Sequence, residues 1–223
     1  MGAFLIYGAS GLAGLLILRL FGPDGTDFLV MIVYTVVFHG GVAFLVFLFL
    51  REQGLSWREG FGIQFGQFRS LVVPVIVITL ACLLCAKVLG EVSAFVIKAW
   101  TGEEPAIQVT VRLLLESKSA FRLLYLALVA VILAPIVEEL LFRGILYTAL
   151  HQYRGRIVGV WGSSILFGVS HLNWLTLFPL IVMAVLLTLL YERTRNLLAP
   201  MMAHSLFNLA NFVLLMNQEV DGW

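Results

Sequence analysis

The chain has 223 residues, of which 61% are hydrophobic and 12% charged, and its net charge is +1; its mean hydropathy is +1.01. Soluble domains are about 45–50% apolar and about 25% charged, so this composition excludes a globule in water and indicates a polytopic membrane protein. Near-neutral charge without a Lys/Arg-rich run also excludes a nucleic-acid partner.

A bilayer core of about 30 Å takes about 20 helical residues. Apolar runs between polar or Gly/Pro breaks predict about seven spans, near residues 3–21, 28–50, 70–88, 121–149, 157–173, 174–191 and 197–216. The expected fold is all-α, a polytopic membrane helix bundle forming a single domain over residues 1–223. The N-terminus has no basic n-region, so a cleaved signal peptide is not expected.

In the first span, Ser10 and Gly14 suit a small-residue helix contact. Gly22-Pro23-Asp24-Gly25 then separates it from the second span. His39, beside Gly40 and Gly41, reads as a hydrogen-bonded histidine at a close helix contact. Residues 55–68 mix Trp57, Phe61 and Phe65 with Arg58, Glu59 and several glycines. That stretch is too polar to cross and is expected to lie at the interface before the third span. Cys82 and Cys85 lack the strand–helix context or second pair of a redox or metal motif and read as packing residues. Lys87 is expected to snorkel. Residues 89–120 form the longest polar interval, with Gly102-Glu103-Glu104-Pro105 and Glu116-Ser117-Lys118-Ser119. They are expected outside the membrane, with room for a short amphipathic helix.

The fourth span carries Glu138-Glu139-Leu-Leu-Phe-Arg143. Each ionisable group at bilayer depth costs roughly 2.5–3.5 kcal/mol on insertion scales, so three within six positions indicate use. On a helix Glu139 and Arg143 face each other, while Glu138 points about 100° away. Desolvation raises a carboxylate pKa and a nearby arginine lowers it, so the two glutamates can serve different roles. The competing reading is a helix-end pair that snorkels to the interface. His151, near the following turn, is expected to be solvated.

The fifth span holds Phe167-Gly-Val-Ser-His171. Glu139 lies 16 residues before Gly155 and His171 lies 16 after it. At 1.5 Å per residue both stand roughly 24 Å along antiparallel helices from the shared turn, so they can meet. The break near Asn173 is weak and suits a helical hairpin or a re-entrant turn. The last span holds His204-Ser-Leu-Phe-Asn208, whose spacing puts both polar side chains on one face. Its plainer reading is an interhelical hydrogen-bonding patch. His204 is only about nine residues from Arg195, so its depth fails to match the 24 Å figure derived from the helical rise. Either the 192–196 turn dips inward or the 143–156 segment runs partly along the surface.

Arg51, Arg58, Arg69, Arg154, Arg156, Arg193 and Arg195 fall on one side of this layout, against Lys98, Arg112, Lys118 and Arg122 on the other. The positive-inside rule places the first side, and with it the N-terminus, in the cytoplasm.

Two carboxylates, two histidines and an asparagine around one intramembrane pocket suit activation of water. A glutamate takes the proton, a histidine shares it, and an amide and an imidazole donate to a developing oxyanion. That describes peptide-bond hydrolysis. Zn²⁺ would suit the same ligand types, but H-E-x-x-H is absent, as is a G-x-S-x-G nucleophile motif. Two other classes stay open. One is a non-catalytic membrane scaffold, or a bacteriocin-immunity-type factor, binding a peptide in the same cavity. The other is a proton-coupled transporter, against which stands the lack of paired halves.

The three motifs, in this order on successive membrane helices, resemble the CPBP family, the CAAX-processing and bacteriocin-processing intramembrane endopeptidases also called Abi. Its pattern of E-E-x-x-x-R, F-x-x-x-H and H-x-x-x-N stands intact, and the resemblance covers residues 120–212 as a catalytic core. It implies a glutamic-type membrane protease in which Glu138 and His171 activate water and His204 and Asn208 form the oxyanion site. Glu139, Arg143 and Phe167 would support the pocket. It implies no metal cofactor, with zinc as the alternative, and a membrane-associated protein or peptide substrate within the lipid bilayer. The expected location is the cell membrane of a prokaryote. The chain ends at Trp223, soon after the third motif, where many members carry a further span. The CAAX name does not assign a prenylated substrate.

Overall fold

The computed structural model describes residues 27–117 and 119–220. Every regular element among them is helical, and the protein is an all-α membrane helix bundle. Five described helices are long and apolar enough to cross a bilayer: Thr35–Gln53, Phe65–Thr101, Ala120–Arg154, Trp174–Thr194 and Leu198–Asn217. The expected first span, with Ser10, Gly14 and the Gly22–Gly25 break, lies outside the described residues. The expected span at 157–173 is the helix Arg156–Ser170. Its rise of about 22 Å falls short of a core of about 30 Å.

The chain enters through α1 (Asp27–Tyr34), passes a π-helical stretch at Thr35–Gly40 and continues as α2 (Gly41–Gln53). Helix α2 buries Val42, Val46 and Leu50, one residue per turn, and exposes Phe44 and Phe47. The expected interfacial stretch follows. Ser56 opens the short helix α3 (Trp57–Phe61) with a capping box, its hydroxyl accepting from Glu59 N–H and its own N–H donating to the Glu59 carboxylate. The Ser56 hydroxyl and amide hold that carboxylate below its usual range. A 3₁₀ turn, Phe65–Gln67, leads into α4 (Phe68–Thr101).

Helix α4 corrects one expectation. It runs 34 residues, about 51 Å, and absorbs residues 89–101 of the interval assigned to the outside. Nothing breaks the helix before Gly102, whose left-handed backbone caps it. Leu71, Val75, Thr79 and Cys82 make its buried stripe, while Val73, Val77, Leu80 and Leu84 stand more than half exposed. An apolar face that wide outside the protein core is a lipid-facing surface.

The connection after α4 includes the expected short helix, α5 (Val109–Leu115). Asn173 Nδ2 donates to Ala106 O at 2.9 Å, and Gln108 Nε2 donates to Thr176 Oγ1 at 2.9 Å. These two bonds strap residues 106–108 across a turn further along the chain.

A nearly continuous helical rod spans Ala120–Arg154. It comprises α6 (Ala120–Leu128), α7 (Ala134–Glu139) and α8 (Thr148–Arg154), separated by π-helical stretches at Val129–Leu133 and Leu140–Tyr147. Helix α9 (Arg156–Ser170) returns antiparallel, and α10 (Trp174–Thr194) turns back after it. The weak break at Asn173 is therefore a helical hairpin, with Asn173 Oδ1 capping α10 by accepting from Thr176 N–H at 3.1 Å. Helix α10 packs against α4, α9 and α11 (Leu198–Val220) at the centre of the bundle.

The depth of His204 is settled by the turn before α11. Asn196 and Leu197 are fully buried. Leu197 N–H donates to Phe61 O at 3.3 Å and Asn196 Nδ2 to Gln64 O at 3.1 Å. The interfacial stretch thus closes over that turn, which dips into the bundle to bring Leu197 beside Gly144 of the rod. Gly62 permits this approach: its φ is +67°, and a Cβ there would collide with Arg195 O.

Candidate active site

The rod places Glu139 and Arg143 one turn apart, and both are essentially inaccessible, at 0% and 1%. Arg143 Nη1 donates to Glu139 Oε1 at 2.7 Å, and Nη2 donates to Ala184 O of α10 at 3.0 Å. The guanidinium also lies over the Phe167 ring, 4.9 Å from its centroid. A buried charge without its partner is strongly destabilising, so this pair fixes the rod against α9 and α10.

His204 of α11 completes the centre. Its Nδ1 stands 2.9 Å from Glu139 Oε1. A carboxylate paired with arginine is an acceptor, so Nδ1 carries the proton. The opposite nitrogen, Nε2, points toward Glu138 Oε2 at 3.9 Å. That is beyond hydrogen-bonding distance. Glu138 keeps 16% of its side chain exposed, and no hydrogen bond holds it among the described residues. The two adjacent glutamates therefore occupy the two environments anticipated from the helical geometry: one locked and buried, the other open.

His171 caps the C-terminus of α9 rather than lying inside a span. Its Nδ1 lies 2.8 Å from Phe167 O. Since a carbonyl only accepts, Nδ1 is the donor and Nε2 is left as the acceptor nitrogen. Phe167, wholly buried, stacks near both histidines, with centroid separations of 4.8 Å to His171 and 5.8 Å to His204. The structure joins Glu139, Arg143 and His204 by direct bonds, brings Glu138 beside them, and connects His171 through Phe167. Among the described residues no hydrogen bond joins His171 to either glutamate.

Asn208 lies one turn beyond His204 and donates from Nδ2 to Ala130 O at 2.8 Å. Ala130 is in the π-helical stretch Val129–Leu133, where the altered ladder frees carbonyls for such partners. One Nδ2 hydrogen and the Oδ1 of Asn208 remain.

Two features escaped the sequence. His39, read as a packing residue, is buried at 4% and lies within electrostatic range of Glu138; its distance in sequence gave no signal. His151, expected to be solvated, is exposed but hydrogen-bonded: its Nδ1 lies 2.8 Å from Tyr147 Oη, and Tyr147 Oη donates to Glu192 Oε1 at 2.7 Å. Arg156 grips the same Glu192 with Nε and Nη2, at 2.9 and 2.6 Å. This network ties the rod, α9 and α10 together at the end opposite His171. Cys82 and Cys85 are unbonded thiols packed along α4, as expected.

Among the described residues no group of three or more His, Cys, Asp and Glu side chains has the geometry to hold a metal ion. Glu139 Oε1 is already engaged by Arg143 and His204.

A buried Glu–Arg–His centre with an adjacent open glutamate, shared between the rod and α11 of an all-α bundle, defines a membrane protein with an intramembrane polar site. Residues 120–210 match the family described as type II CAAX prenyl endopeptidase, Rce1-like. This segment holds the three motifs that resemble the CAAX-processing and bacteriocin-processing family. In Bacillus subtilis (strain 168), the protein named "Putative membrane peptidase YdiL" is 33% identical over 92 residues, covering 41% of this chain and 37% of the relative. "Uncharacterized protein YpbD" from the same organism is 38% identical over 77 residues, covering 33% of this chain and 36% of the relative. The matches thus span little more than a third of each relative. No solved structure matches significantly.

Proposed function

We propose that this protein is an intramembrane endopeptidase that hydrolyses a peptide bond in a membrane-associated protein or peptide without a metal cofactor. The observation that carries the reading is the placement of His204 between two glutamates. Glu139 fixes one ring nitrogen at 2.9 Å, and the other nitrogen faces Glu138 at 3.9 Å. The match of residues 120–210 to a family described as a prenyl endopeptidase supports the same reaction class.

Glu138, with His171 acting through Nε2, takes a proton from water, whose oxygen attacks the scissile carbonyl carbon. The carbonyl π pair moves onto oxygen, and the resulting oxyanion accepts from His204 Nε2–H and the remaining Asn208 Nδ2–H. Donation from Nε2 while Nδ1–H stays on Glu139 requires the doubly protonated ring. As the intermediate collapses, the C–N bond breaks and the proton held by Glu138 passes to the leaving amine. Glu139, Arg143 and Phe167 position His204 and touch no reacting atom.

The arginines Arg51, Arg58, Arg69, Arg154, Arg156, Arg193 and Arg195 gather at one end of the bundle, which supports a cytoplasmic assignment for that end. With the expected first span this puts the N-terminus in the cytoplasm of a prokaryotic cell.

The test is reconstitution of wild type and Glu138→Gln in lipid vesicles with a library of membrane-anchored peptides. Wild-type cleavage that the substitution lowers by 10²–10⁴-fold, with unchanged thermal unfolding, supports the reading. Equal cleavage by both removes Glu138 from the chemistry. Peptide binding without cleavage by either makes the protein a scaffold.

A further inference from the structure

A groove of about 760 Å³ lies outside the polar centre, between the first turns of α4 and the last turns of α10. The two helices run antiparallel there, so its walls grade in one direction. Gln67, Ser70, Arg193 and Thr194 form its head, and Pro74 and Val77 line the stem below them. Pro74 lacks an N–H, so the Ser70 carbonyl loses its helical partner and adds a free acceptor near the head.

Depth is marked independently. Trp57, Phe65 and Phe68 are 44%, 76% and 52% exposed around the entry of α4. Exposed aromatic rings of this kind sit at headgroup level, so the head lies at the interface and the stem in the hydrocarbon. Charge is the third observation. Arg193 is exposed, and no carboxylate among the described residues pairs with it. Its neighbour Glu192 is held by Arg156 and Tyr147. No acidic side chain lines the groove, and Arg69 lies in the first turn of α4, where the helix dipole also favours an anion.

We propose that this groove binds one phospholipid with an anionic headgroup, its phosphate at Arg193 and an acyl chain along Pro74 and Val77. A zwitterionic lipid offers the same chain but a cation beside its phosphate, so the unpaired arginine selects for net negative charge.

The experiment is native mass spectrometry of the full chain released from vesicles of equal parts phosphatidylcholine and phosphatidylglycerol. One phosphatidylglycerol is retained preferentially by wild type. Arg193→Gln lowers that retention about fivefold, the effect of one basic residue near an anionic surface. Val77→Trp, at a lipid-exposed position, fills the stem and removes retention of both lipids without changing unfolding in phosphatidylcholine alone. Equal retention of the two lipids by wild type, or undiminished retention by Arg193→Gln, overturns the proposal. So does displacement of the lipid by soluble glycerol phosphate, which would make this a site for free phosphate. Efficient disulfide formation between Val77→Cys and a cysteine introduced in residues 3–21 would give the groove to the chain's own N-terminal segment, and also overturns it.

Discussion

His204 Nδ1 and Glu139 Oε1 meet at 2.9 Å although 65 residues separate them. Glu139 also accepts from Arg143 at 2.7 Å, and all three side chains are almost wholly buried. The imidazole is therefore held by an already neutralised pair, and its second nitrogen is aimed at the one carboxylate of the group that stays open.

The adjacent glutamates should respond oppositely to mutation. Glu139→Ala leaves the buried Arg143 unpaired, which costs about 3–5 kcal/mol, and thermal unfolding of the detergent-purified protein should shift strongly downward. Glu138→Gln, at a partly exposed group, should leave unfolding unchanged and lower peptide cleavage. Equal destabilisation by both would contradict the assignment of one structural and one open carboxylate.

Asn208→Ala should separate packing from chemistry. Loss of its bond to Ala130 O removes an interhelical interaction worth about 0.6 kcal/mol on average in membranes, a small shift in unfolding. Loss of an oxyanion donor lowers turnover by about 10²–10³. A turnover change no larger than the stability change would leave Asn208 a packing residue.

Gly62→Ala should loosen the turn that sets the depth of His204. The added methyl meets both an unfavourable φ and the Arg195 carbonyl. Hydrogen exchange at Asn196 and Leu197 should accelerate, and cleavage should fall although residue 62 is remote from the polar centre. Unaltered exchange there would mean that the interfacial stretch does not hold the turn.

Asn173→Ala removes three bonds, those that Asn173 Oδ1 accepts from Thr176 N–H and the Thr176 hydroxyl, and the strap to Ala106 O. Loss of the cap costs about 1 kcal/mol. Faster hydrogen exchange should be confined to residues 102–108 and the first turn of α10. Exchange spreading through α4 would show that the strap supports more than this turn.

Much of the site was legible because helical periodicity is short-range. The i,i+4 spacing of Glu139 and Arg143, and the outward turn of Glu138, follow from 3.6 residues per turn. The matched distances of Glu139 and His171 from Gly155 indicated the antiparallel pairing of rod and α9. Relations set by tertiary closure were not legible. The conflict in the depth of His204 could be seen in the chain, but its resolution required the contacts of Phe61 and Gln64 with residues 196 and 197. The extent of α4 was not legible, because a polar interval such as 89–120 does not by itself end a helix and the glycine that caps this one is Gly102. The π-helical stretches around Glu138 and Glu139 leave no compositional mark, and so the partner of Asn208 could not be anticipated.

The most direct test of the central claim compares peptide termini in membranes of cells carrying wild type or Glu138→Gln at matched abundance. The account predicts a set of new termini, from membrane-associated proteins, that is present with wild type and missing with Glu138→Gln. Identical termini in the two samples, with the biological phenotype intact, would contradict it.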